Sequence, residues 1–145
     1  MRLHAGNVAD WCTALEGVSH FLYLAWNAGH DKPVSLLELE MQAEVDKYVA
    51  SYWLLRQQLP QHFPAELRRL LFERTRVDPR AAAAGRGELY REASRYAGKF
   101  CARLERLLAR DRAAAHGADG AVLAELRRFY RLTHARKRAL IEGIA

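Results

Sequence analysis

The chain has 145 residues, near the common size of one domain. Half are hydrophobic and 28% are charged, which argues against global disorder and allows a core without disulfides or a structural metal. The formal net charge of +6 at pH 7 is uneven: residues 1–65 carry four basic against seven acidic side chains, and residues 66–145 carry nineteen against ten. Of the 23 basic residues, all but four are Arg. Genomic bias toward Arg and Ala accounts for such a composition. So does a surface that binds phosphate or carboxylate partners bidentately.

No secretory pattern follows Arg2. The longest apolar run, Phe21 to Trp26, is far short of the ~18 residues of a membrane span. Cys12 and Cys101 lie far apart within helical patterns and are expected to be buried free thiols in a reducing cytoplasm. The expectation is a soluble, cytoplasmic protein without membrane contact.

In chain order, Val8, Trp11, Leu15, Val18, Leu22 and Trp26 recur at helical spacing. They predict a first helix from Val8 to Ala28, ended by Gly29, with Phe21 and Leu24 outside the main apolar face. A second helix begins near Pro33 or Ser35 and ends at Leu59, since Pro60 disfavours helical geometry before it. Its seam is Leu37, Met41, Val45, Tyr48, Tyr52, Leu55 and Leu59, while Glu38, Glu40, Gln42, Asp46, Lys47 and Arg56 are expected to cover the remainder.

Pro64 opens a short third helix to about Arg74, burying Leu67, Leu70 and Leu71. Asp78-Pro79 suggests one further turn of helix, then a flexible break over 79–87 around Gly85-Arg86-Gly87. A fourth helix runs from about Glu88 to Arg112 with Leu89, Ala93, Tyr96, Phe100, Leu104 and Leu107 inside. Asp119 caps a fifth, to about Glu142, with Val122, Leu126, Phe129, Thr133, Leu140 and Ile144 inside. No strand pattern or internal repeat occurs. The fold class expected is all-α: one domain over 1–145, an antiparallel bundle of four to five helices joined by short connections.

The basic side chains carry the first functional expectation. Arg91, Arg95, Lys99, Arg103, Arg106 and Arg110 step by three or four residues, an arc of roughly 120° opposite the apolar stripe at ~100° per residue. Arg127, Arg131 and Arg138 align on the last helix, with His134 among them. Such stripes suit a nucleic-acid backbone, where each neutralised phosphate releases counterions. They also suit the solvated face that every amphipathic helix needs.

Arg127 and His134, six residues between them, resemble the Arg-x4-6-His motif of the HEPN family, small helical-bundle domains that include metal-independent ribonucleases. The resemblance covers the last helix alone. It implies acid–base chemistry by His134 on an RNA 2′-hydroxyl and stabilisation of phosphorane charge by Arg127. Arg128 stands where that family usually has a small polar residue. His134-Ala135-Arg136-Lys137 also resembles the His-x-x-Lys of histidine phosphotransfer domains, although Arg138 replaces the Gly usual there.

Glu16 and His20 stand four apart on the first helix, and Glu40 and Glu44 do so on the second. These are donor types of carboxylate-bridged metal centres, but Glu-x-x-His on two helices is missing. Glu16 and His20 lie away from the strongest apolar face, so solvent exposure is expected, and no metal. His62 and Glu66 flank Pro64, where Glu66 suits a helix start. No Gly-rich phosphate loop, Cys-x-x-Cys or Gly-x-Ser-x-Gly is present, and no cofactor is expected. The functional expectation is a non-enzymatic interaction module working through protein contacts, as a homodimer or with another protein. The alternative is a nucleic-acid-binding protein using the Arg stripes.

Overall fold

The computed structural model describes residues 2–73, 85–113 and 120–144. The described residues form six helices: α1 Val8–Ala28, α2 Leu36–Gln58, α3 Leu67–Phe72, α4 Gly87–Ala113, α5 Gly120–Arg131 and α6 His134–Glu142. Among the described residues there is no strand, and the helices pack as an all-α bundle. α2 lies at its centre, against α4 on one side and α1 on the other. α3 packs on α2 and α4, while α5 and α6 pack on α4.

Local chemistry sets the ends. Ser35, in extended geometry, caps α2 by accepting the Glu38 N–H at 3.2 Å, as an N-cap serine should. Leu59 leaves helical geometry before Pro60. α3 is shorter than its leucines suggest, and Leu70 is exposed. The expected turn at 78–79 and the break over 79–84 lie outside the described residues. Gly85, at φ +70, makes the turn into α4, a conformation that favours glycine.

The expected fifth helix is in fact two. Thr133 takes extended geometry at φ −71 and ψ 162, Leu132 N–H bonds back to Phe129, and the Lys32 ammonium caps the Arg131 carbonyl at 2.6 Å. A β-branched residue that loses side-chain freedom in a helix thus sits where a cation closes α5. The chain restarts at once as α6.

The apolar core follows from the seams. Met41, Val45, Tyr48 and Tyr52 of α2 meet Ala93, Tyr96, Phe100 and Leu104 of α4, with Val122 and Phe129 of α5 and Ile141 of α6. Phe100 and Phe129 stack with ring centroids 4.0 Å apart. Full burial of each such large side chain contributes about 1.5–3 kcal/mol. α1 supplies none of this cluster, although its sequence is the most apolar of the helices.

Candidate functional site

α1 is turned inside out. Its buried residues are Ser19, Tyr23 and Asn27, with Glu16 and His20 partly buried beside them. Trp11, Leu15 and Trp26 are only partly covered, and Val18 and Leu22, expected inside, are exposed. α2 answers in kind: Glu38, Glu40 and Gln42, expected to face water, are buried. The α1–α2 interface is therefore a polar seam in an otherwise apolar bundle. Each buried polar group must find a partner or cost free energy.

The first half of the seam centres on Lys137 of α6, which is fully buried. Its Nζ donates to Tyr23 Oη and to Gln42 Oε1, each at 2.8 Å. The Tyr23 hydroxyl donates in turn to Glu38 Oε1 at 2.5 Å. The Gln42 amide donates to Asp46 Oδ1 at 2.9 Å, and Ser19 Oγ donates to Asp46 Oδ2 at 2.6 Å. The ammonium also lies over the Tyr23 and Phe129 rings, at 4.4 and 4.6 Å from their centroids. A single chain of hydrogen bonds thus links α1, α2 and α6.

Burial dominates the electrostatics here. It pulls Lys137 down from the usual lysine range to about 7, against the opposing pull of Glu38 and Asp46. Burial likewise pushes the Tyr23 phenol and the Asp46 carboxyl up. Beside this network lies a cavity of about 420 Å³ whose walls include Asn27, Lys32, Ser35, Glu38 and His134. Sequence reasoning noted Lys137 only as the end of a His-x-x-Lys pattern and missed it as the hub of the interior.

The second half comprises Glu16, His20 and Glu40, one donor atom of each within 4.8 Å of the others. The expectation that Glu16 and His20 point to solvent is corrected: both face α2. His20 Nε2 stands 3.5 Å from Glu40 Oε2, beyond normal hydrogen-bond length. Lys47 pairs with Glu44 at 2.6 Å and with Glu16 at 3.2 Å. Burial works against the Lys47 charge, but Glu44 and Glu16 outweigh it and raise its pKa. Burial also raises the Glu40 carboxyl, with His20 opposing. Glu16 and Glu40 open on a groove of about 950 Å³ between α1, α2, α3 and α4.

The two basic stripes are partly drawn into the molecule. Arg91, Arg95 and Lys99 line the groove together with Arg68 and the carboxylates of Glu16, Glu40 and Glu44. Arg91 pairs with Glu88 at 2.6 Å, and Arg95 stacks on the Tyr96 ring. Arg103 reaches Glu125 of α5 at 3.0 Å, and Arg138 lies 3.1 Å from the Tyr96 hydroxyl and 3.6 Å from Glu142. Arg106 also has a partner in the structure, while Arg110, Arg127 and Arg131 are exposed.

Arg127 and His134 stand on different helices, with the 132–133 break between them. His134 Nδ1 lies 3.1 Å from Ser35 Oγ, and its Nε2 is buried with no hydrogen-bond partner. The chain matches no protein family, curated protein or solved structure.

Proposed function

We propose that this chain is a helical interaction module that pairs with a second copy of itself through the outer face of α1. One observation carries the reading. Val18, Phe21, Leu22 and Leu24 are 54%, 71%, 54% and 45% exposed, on a helix whose polar side chains point inward. With Ala14, Gly17, Ala25 and Ala28, also exposed, they fall within an arc of roughly 160° at ~100° per residue. A contiguous apolar surface of this kind marks an interaction site.

The chemistry of the face favours a second copy. It carries no charge except Asp10 near one end, and α1 has no Lys or Arg. That removes the attraction to anionic lipid on which interfacial helices draw. No helix among the described residues is long and apolar enough to cross a membrane. Two α1 helices crossed antiparallel about a two-fold axis near Ser19 bring Phe21 of each copy over Gly17 of the other. A Cβ added at Gly17 would meet no atom within 4 Å, so there is room for the ring. Such a contact is isologous and self-complementary, as two-fold dimers require.

Sedimentation equilibrium tests this. The wild type should be dimeric at roughly 100 µM, well above the micromolar Kd of a modest interface. Phe21→Asp should weaken the dimer by at least ~30-fold, the effect of losing a hot-spot aromatic. It should leave the monomer folded, since Phe21 contributes nothing to the core. A monomeric wild type, or a Phe21→Asp dimer as tight as the wild type, would end this reading.

A further inference from the structure

We propose that Glu16, His20 and Glu40 bind a divalent first-row transition ion. The site sits on the inner side of α1, against α2, and does not depend on whether the outer face pairs. Glu16 and His20 are one turn apart on α1, so their side chains share the face that meets Glu40 of α2. Their donor atoms lie within 4.8 Å of one another. Ligands held at 2.0–2.2 Å from one tetrahedral ion are about 3.3–3.6 Å apart. Side-chain rotations that draw these atoms together by about an ångström would close the shell.

An orphaned nitrogen and a nearly buried carboxylate point to the ligand. His20 Nε2 is shut off from solvent and has no hydrogen-bond partner. The Glu40 side chain is only 7% exposed, and it makes no hydrogen bond among the described residues. A buried nitrogen without a partner is costly, and so is a carboxylate with so little water around it. Their mutual distance of 3.5 Å is too long to satisfy either one. An ion between them, shared with Glu16, satisfies both at once. Lys47, 3.2 Å from one Glu16 oxygen, leaves that carboxylate its other oxygen.

The donor set selects the class of ion. One imidazole with two carboxylates suits Zn²⁺, Fe²⁺, Mn²⁺ or Co²⁺, whereas Mg²⁺ and Ca²⁺ take oxygen ligands. Three protein ligands leave coordination positions open, as in catalytic and not structural zinc sites. Glu16 and Glu40 line the groove into which α4 also sends Arg91, Arg95 and Lys99. An exogenous ligand completing the shell from that side would be an anion.

The test is titration of the chelator-stripped full chain with Co²⁺, followed by its visible ligand-field bands, and with Zn²⁺ by calorimetry. One ion per chain is expected, with a micromolar or tighter Kd. Glu40→Gln, close in shape, and His20→Ala should each weaken binding by at least ~100-fold, since even outer-shell changes cost 10–100-fold. His62→Ala, at an exposed position, should leave the Kd unchanged. Absence of Co²⁺ bands in the wild type would overturn the proposal whether or not the variants fold. Unchanged affinity in folded Glu40→Gln would overturn it equally.

Discussion

Lys137 is a cation held where water does not reach, and its pKa of about 7 ties stability to pH. In the unfolded chain the lysine titrates near the ordinary lysine value of about 10.4. Between these values the unfolded state binds the extra proton, so stability rises with pH, by up to ~1.4 kcal/mol per unit. Below pH 7 both states are protonated, and the full cost of the buried charge is present. Tyr23, Glu38 and Asp46 face the ammonium, so the comparison must be made against a variant that lacks only the titrating group.

Urea unfolding of the wild type and of Lys137→Met from pH 6 to 10 isolates it. The wild type should gain on the order of 3 kcal/mol relative to the variant between pH 7 and 10. Parallel profiles would mean that Lys137 titrates normally in the folded chain. At the same scale, burial pushes the fully buried Cys101 thiol well above its usual range. Ellman's reagent should spare it in the native protein and reach it after denaturation, because the thiolate is the reactive species. Native reactivity equal to that of the denatured chain would place Cys101 at a surface.

At the scale of the helix, α1 shows what periodicity can and cannot tell. Its ends, Val8 and Ala28, were legible because Gly29 and the following turn interrupt the pattern. Its orientation was not. Apolar residues occur all around α1, and the strongest stripe runs through Val18 and Leu22, which are exposed. The decisive signal was the polar set Glu16, Ser19, His20, Tyr23 and Asn27, also at helical spacing. It becomes an inward face only because α2 offers Glu38, Glu40, Gln42 and Asp46 as partners, a tertiary fact absent from either helix alone.

α2 and α4 were easier. There the apolar seams of Met41 to Tyr52 and of Ala93 to Leu104 coincide with the core. Lys137 left a subtler trace: it stands four residues before buried Ile141 and eight after buried Phe129, on the inward stripe of the last two helices. Gly17 permits a test at this scale. It is exposed within α1, and no atom opposes a Cβ there. Gly17→Ala should therefore stabilise the monomer by about 0.5–1 kcal/mol, the helix-interior cost of glycine. Thermal unfolding at low protein concentration, below dimerisation, measures it. A destabilised variant would mean that α1 is not a regular helix at that turn.

For the whole molecule, the question is where the positive charge goes. The excess of basic side chains beyond residue 65 would favour a polyanion if it formed one open surface. Among the described residues, part of it is spent on pairing within the molecule. Arg68 is committed to Glu105 and Glu73, Arg103 to Glu125, Arg91 to Glu88 and Arg138 to Glu142. Arg91, Arg95 and Lys99 share their groove with Glu16, Glu40 and Glu44, carboxylates that repel a phosphate backbone. A groove of mixed sign suits a small anion beside a metal ion better than a strand of nucleic acid.

Fluorescence anisotropy of labelled single-stranded and duplex RNA and DNA should accordingly show only weak association at about 50 mM salt, no tighter than the 10⁻⁴–10⁻⁶ M of non-specific binding. The proposed dimer rests on an uncharged face and should keep its Kd at about 500 mM salt, where charge pairs are screened. The two salt titrations together separate the readings. Submicromolar nucleic-acid binding that collapses by about 200 mM salt would show several phosphate contacts and transfer the function to the basic surface. A dimer that dissociates as salt rises would mean that the acidic and basic halves hold it, and the apolar face of α1 would lose its assigned role.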